Sequence, residues 1–134
     1  MCAENPSLIF VVDDEPAIVE TLAAILTVSG FSPRPFLSPL DALAEIASTT
    51  CPALVLTDIN MPHVSGIDLG IRVKELCPRC KVVLFSGRAA PVQMMELARR
   101  AGYDFPVIAK PIHPSKLIAE VRAILSEQER SPII

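Results

Sequence analysis

The stretch Ala53-Leu54-Val55-Leu56-Thr57-Asp58 is an aliphatic run that ends on a carboxylate. It lacks the apolar–polar alternation of a half-exposed strand, so a strand made from it must be covered on both faces, as in a parallel sheet. Leu8–Val12 and Lys81–Phe85 read the same way. A weaker strand is expected at Ser32–Phe36 and a short one at Val107–Ala109.

Longer segments with helical signals separate these runs. Ile18, Leu22 and Ile25 form one stripe at helical spacing, and Leu117, Ile118, Val121, Ile124 and Leu125 form another. Pro16, Pro39, Pro91 and Pro114 each stand where a first helical turn begins, a position at which the missing N–H costs nothing. Ser38 followed by Asp41 resembles a capping box at the second of these starts. Ile67, Leu69, Ile71 and Val73 alternate like a strand, yet two buried parallel strands need a crossover between them. A helix there would put Leu69, Val73 and Leu76 on one face. The resulting (βα)5 order predicts an α/β fold with a doubly wound parallel sheet and a ligand site at the carboxyl ends of its strands.

That rule selects particular residues. Asp13 and Asp14 follow the first strand, Asp58 the third, Ser86 the fourth and Lys110 the fifth. Each has an ordinary reading alone, as a strand end, helix cap or turn, and the signal lies in their combination. Like charges at 4 Å repel by about 4 kcal/mol at an effective dielectric near 20, so three carboxylates in one crevice call for a cation. Hard carboxylate and carbonyl oxygens suit Mg²⁺, which also recruits phosphate oxygens. Lys110 and the Ser86 hydroxyl supply a positive charge and a donor for a phosphoryl group.

The motifs Val11-Val12-Asp13-Asp14-Glu15-Pro16, Leu54-Val55-Leu56-Thr57-Asp58-Ile59-Asn60-Met61-Pro62 with Gly66 beyond, Leu84-Phe85-Ser86-Gly87 and Lys110-Pro111 resemble the response-regulator receiver domain of two-component signalling. The resemblance implies a flavodoxin-like sheet of order 2-1-3-4-5 and a single receiver domain over 1–134, with its core about 6–127. It implies a signalling phosphoacceptor rather than an enzyme. Asp58 would take the phosphoryl group from a sensor histidine kinase or phosphotransfer protein. Asp14, Asp58 and the backbone carbonyl of Asn60 would ligate Mg²⁺, with Asp13 helping through water. Lys110 would neutralise phosphoryl charge, Ser86 would swing toward it, and the Lys110–Pro111 peptide would be cis. A downstream protein target is implied, without direct nucleic-acid binding or membrane insertion by this domain.

Two features depart from the family pattern. Val107 stands where an aromatic residue is usual, and Gly102-Tyr103-Asp104-Phe105-Pro106 is about one residue longer than usual. The switch is therefore expected in the Ser86-Gly87-Arg88 loop and the helix from Pro91, with Arg88, Arg99, Arg100 and Lys116 facing an acidic partner. Other functions on this architecture fit less well. Flavin or nucleotide binding wants a Gly- or Ser/Thr-rich loop after the first strand, where Asp13-Asp14-Glu15 stands. The dehalogenase-like phosphatases want an Asp-x-Asp arrangement there. A degenerate receiver would lack part of the set.

Composition bounds the rest. At 134 residues, 51% hydrophobic and 20% charged, the chain suits one compact domain. Residues 1–70 carry nine Asp/Glu against one basic residue, Arg34, whereas residues 71–134 carry six against eleven Lys/Arg. This predicts an acidic cleft early and a basic surface late. No targeting segment or membrane span is read, so a cytoplasmic location with all four cysteines reduced is expected. Cys77-Pro78-Arg79-Cys80 falls between a helix end and a strand, and reads as ordinary thiols. A zinc site would need two more ligands, and neither His63 nor His113 has finger-like spacing.

Overall fold

A computed structural model describes residues 3–48, 50–87, 92–111 and 113–129. Five strands and five helices alternate: β1 (Ala3–Val12), α1 (Pro16–Val28), β2 (Ser32–Phe36), α2 (Pro39–Ser48), β3 (Thr50–Asp58), α3 (Gly66–Leu76), β4 (Lys81–Ser86), α4 (Val92–Arg100), β5 (Val107–Ala109) and α5 (Pro114–Glu129). The strands form one parallel sheet in the order β2-β1-β3-β4-β5. This is the doubly wound arrangement expected. β1 and β3 start earlier than their apolar runs, because Ala3–Asn5 pair in register with Thr50–Pro52 before a shift in the ladder. Pairing, rather than hydropathy, sets those two beginnings.

The aliphatic runs are buried on both faces. Phe10, Val12, Val55, Val82 and Leu84 pack with α2, α3 and Ala98 of α4. Ile9, Val11, Leu54, Leu56, Val83, Phe85 and Ile108 pack with α1 and α5. The side-chain period of two along each strand thus feeds two separate cores. Among the described residues, no helix is long and apolar enough to cross a membrane.

Several details correct the sequence reading. In α1 the buried stripe is Val19, Leu22 and Leu26, so Ile18 and Ile25 lie only at its flank. In α3 the segment is helical despite its alternation, and Leu69 and Val73 are buried as expected. Leu76 instead is 41% exposed, and Cys77 turns inward in its place. Ser38 does accept from the first turn of α2, but from Leu40 N–H at 3.2 Å rather than from Asp41. The reciprocal cap lies at α3, where Ser65 Oγ accepts from Asp68 N–H at 3.1 Å and donates to the Asp68 carboxylate at 3.2 Å. Pro91 and Arg88 lie outside the described residues.

The cysteines are not all reduced. Cys51, the second residue of β3, is bonded to Cys77, the C-cap of α3, across 26 residues of sequence. Cys80 is a free, buried thiol, and Cys2 lies outside the described residues. The expectation of four thiols failed because pairing depends on where α3 ends relative to the base of β3, which local spacing does not reveal.

Candidate functional site

Sheet register assembles the site. Val12 pairs with Thr57, Asp58 with Phe85, and Ser86 with Ala109. β3 and β4 run one residue further than their aliphatic runs, so Asp58 and Ser86 are their last residues, and they emerge at the same carboxyl edge as Asp13 and Lys110, which follow β1 and β5. Ile59 N–H donates to the Phe85 carbonyl at 3.1 Å and Lys110 N–H to the Ser86 carbonyl at 2.8 Å, which extends the alignment past the strand ends. Asp13, Asp14, Asp58, Ser86 and Lys110 are thus brought to one edge, as read from sequence.

Asp13, Asp14 and Asp58 converge so that one carboxylate oxygen from each lies within 4.8 Å of the others. Asp13 is fully buried and Asp58 is 5% exposed, while Asp14 is exposed to solvent. Lys110 Nζ stands 3.4 Å from Asp13 Oδ2 and 3.7 Å from Asp58 Oδ2. The ammonium also lies 4.9 Å from the Phe85 ring centroid, a cation–π contact that sequence gave no reason to expect. The Lys110–Pro111 peptide is cis, as the resemblance implied.

The electrostatics follow from this crowding. Burial pushes the Asp13 carboxyl up from 3.8 to about 6. The Glu15 N–H, which donates to Asp13 Oδ1 at 3.0 Å, and the Lys110 ammonium oppose that rise. The Asp58 and Asp14 side chains add to it. Among the described residues, one lysine against three carboxylates leaves the cleft short of positive charge. The candidate metal donors among the described residues are the hard oxygens of Asp13, Asp14 and Asp58, so the residues fit Mg²⁺, which prefers oxygen ligands. Asn60 belongs to the same turn, its N–H reaching Asp58 Oδ1 at 3.4 Å.

Gly66 has a role that chain separation alone did not explain. A Cβ at this position would lie 2.1 Å from the Asp58 carbonyl oxygen. Its N–H donates to the Ile59 carbonyl at 2.9 Å. The start of α3 therefore presses directly on the backbone that presents Asp58, a contact only glycine allows.

The opposite flank carries the departures from pattern. Val107 is 41% exposed. Gly102, at φ 98°, ends α4 and delivers Tyr103 and Phe105, whose rings stand 6.0 Å apart. Phe105 is buried, and its ring leaves only 3.0 Å for a Cβ at Gly70 of α3. The longer segment thus anchors itself in the core on the α3 side. Arg99 and Arg100 both pair with Glu96 on their own helix, which reduces the basic surface expected there. Lys116 is exposed.

With this geometry in place, comparison with known proteins gives a consistent answer. Residues 9–122 match the family model described as the response regulator receiver domain. The chain is 28% identical over 131 residues to the response regulator protein TodT of Pseudomonas putida, covering 96% of this chain and 56% of that protein. It is 32% identical over 124 residues to the DNA-binding response regulator MtrA of Mycolicibacterium smegmatis, covering 92% and 53%. The chain therefore spans about half the length of these curated relatives. Among solved structures, it resembles a CheY-like response regulator receiver domain protein from Methanospirillum hungatei with TM-score 0.84, at 28% identity over 94% of this chain and 98% of that one. It also resembles the BeF3-activated DrrB receiver domain, with TM-score 0.73 at 27% identity over 89% and 97%.

Proposed function

The chain belongs to the response regulator receiver domain family, and from that premise we propose that Asp58 is its phosphoacceptor. The observation that carries this reading is the placement of Asp58: a buried carboxylate at the end of β3, within reach of Asp13, Asp14 and Lys110. A phosphohistidine on a sensor histidine kinase or phosphotransfer protein is the proposed donor. An Asp58 carboxylate oxygen attacks the phosphorus in line, the P–N bond breaks, and the histidine nitrogen leaves with a proton from solvent. The product is an acyl phosphate on Asp58.

Such a transfer demands positioning and charge stabilisation more than covalent help. Lys110 meets the charge gathering on the phosphoryl oxygens, giving up part of its pairing with Asp13 and Asp58. Ser86, at the end of β4, offers its hydroxyl to another phosphoryl oxygen. Asp14, Asp58 and the Asn60 carbonyl would hold Mg²⁺, with Asp13 assisting through water. When bound, the ion supplies positive charge to the transferring group.

The whole chain, 1–134, is read as one receiver domain located in the cytoplasm, acting by changing shape toward a downstream protein. Val107 offers no ring to follow Ser86 and Phe105 is held in the core, so the response is assigned to the β4–α4 connection. Lys116 and the outer face of α4 would meet an acidic partner surface. Chemical-shift mapping with and without beryllofluoride and Mg²⁺ tests the switch. Largest changes at Tyr103 and Phe105, with residues 86–100 silent, would refute it.

The test of the chemistry is acetyl phosphate with Mg²⁺, read by intact mass. One phosphoryl adduct is expected on the wild type and none on Asp58→Asn. Equal labelling of the two proteins overturns the assignment.

A further inference from the structure

The sulfur chemistry lies at the other end of β3 from the carboxylates. Cys51 and Cys77 are joined with a Cα–Cα distance of 6.0 Å. Asp58 lies seven positions along the strand from Cys51, roughly 23 Å at about 3.3 Å per residue. The loop closed by the bond holds Asp58, Asn60, Gly66 and all of α3.

The surroundings select this pair over the apparent Cys-x-x-Cys motif. Cys80 N–H donates to the Cys77 carbonyl at 3.0 Å, so residues 77–80 form a turn with its ends close together. The Cys80 thiol nevertheless points inward and donates to the Lys81 carbonyl at 3.4 Å. Burial pushes that thiol up to about 12, which leaves almost no thiolate at neutral pH to attack or exchange. Lys74 Nζ ties the turn down through the Pro78 and Cys80 carbonyls, at 2.7 and 2.8 Å. Cys77 is buried, at 3% exposed, whereas Cys51 is half-buried and the more exposed of the pair.

We propose that Cys51 and Cys77 form a redox-responsive modification site, closed and opened by exchange with small-molecule disulfides and thiols. In closing, the Cys51 thiolate attacks a disulfide RSSR, forms the mixed disulfide Cys51–S–S–R and expels RS⁻. The Cys77 thiolate then attacks Cys51 Sγ and expels a second RS⁻. The two protons of the cysteine thiols end on the two RSH, so two cysteines are oxidised as one RSSR is reduced. Opening is the reverse, with the external thiolate attacking first the sulfur of Cys51, the less buried of the two residues. Disulfides in a reducing compartment are usually of this reversible, sensing kind, so that role rests on the cytoplasmic location proposed above.

The expected consequence is a change in stability rather than in chemistry. Cross-linking ends this far apart in sequence restricts the unfolded chain, and by the chain-entropy account the melting temperature rises by roughly 10 °C. The phosphoacceptor end, at the far end of the strand, keeps its geometry in both forms.

The experiment poises the purified protein in mixtures of reduced and oxidised glutathione, then alkylates it, maps the cross-link by non-reducing peptide mass analysis and measures melting. Expected are a Cys51–Cys77 link that opens in excess reduced glutathione and a melting gap that Cys51→Ser abolishes. Cys80→Ser should keep both. A link to Cys80 or Cys2, a bond that stays closed in excess reduced glutathione, or a gap under ~2 °C overturns the proposal. Acetyl phosphate labelling of both forms is read in parallel. Failure to label bears on the phosphoacceptor assignment and leaves the sulfur result standing.

Discussion

β3 enters the molecule at a disulfide and leaves it at a carboxylate cluster, and the two ends contribute to folding with opposite sign. At the Cys51 end the chain is tied by a covalent bond, and the adjoining turn is tied by Lys74 to two carbonyls. At the Asp58 end three carboxylates share one lysine among the described residues, and Asp13 is held in a state that burial disfavours. The same strand, with the same aliphatic middle, thus joins a stabilised base to an electrostatically costly tip. On the function proposed above, the tip receives a cation and a phosphoryl group, so it must hold unneutralised charge beforehand, and the fold bears that cost locally.

The most severe way to break this contrast is at Gly66. Gly66→Ala forces a methyl against the Asp58 carbonyl, a contact with no flexible side chain to give way. A loss of ~3–5 kcal/mol is expected in urea denaturation, with phosphorylation reduced in the folded fraction. A wild-type urea midpoint in this variant would mean that α3 does not brace the acidic turn as described.

Mg²⁺ should act next most strongly, and at the tip alone. At a concentration about 100 times its dissociation constant, a ligand that binds only the folded state adds ~2.7 kcal/mol. That gain should appear in calorimetry of the wild type and vanish in Asp14→Ala. If the gain survives in Asp14→Ala, Asp14 is not a ligand.

Asp13 offers a finer comparison. Its folded value, about 6, lies above the ordinary 3.8. Its contribution to stability is therefore fully present below about 3.8 and lost as pH rises through about 6. Asp13→Asn should raise the stability of the metal-free protein at pH 7 by ~1–3 kcal/mol and flatten its pH profile between 4 and 6. Lys110 keeps Asp58 as a partner in the variant. A metal-free Asp13→Asn protein no more stable than wild type at pH 7 would show that the tip carries no such cost.

The smallest effect belongs to Ser65. Removing the cap in Ser65→Ala should cost ~1 kcal/mol, and the loss should be the same with and without Mg²⁺, because Ser65 caps α3 without joining the carboxylates. A loss that depended on the ion would tie the cap to the site and blur the distinction between helix start and cleft.

Much of this was legible in the residues. The aliphatic runs before Asp13, Asp58 and Ser86 marked buried parallel strands, and the polar residue after each marked the edge where a site would form. That inference needs only the strand period and the direction of the sheet, both local or topological. Helix phase was read less well. Val19 and Leu26 rather than Ile18 and Ile25 face the sheet, and Cys77 rather than Leu76 closes the α3 face. An apolar residue at helical spacing can sit on either side of the stripe, and only the neighbouring strand decides.

The sequence by itself determined the α/β class, the order of elements and the identities of the carboxylates, lysine and hydroxyl at the strand ends. Each of these is encoded within a few consecutive residues, in hydropathy, turn chemistry and the residue following a strand. Only the tertiary structure decided that Cys77 bonds Cys51 and not Cys80, that Phe105 lodges against Gly70 while Val107 stays exposed, and that Gly66 touches the carbonyl of Asp58. These depend on where two elements distant in sequence come to lie against each other. That separation is set by sheet register and helix length together, and no local pattern carries it.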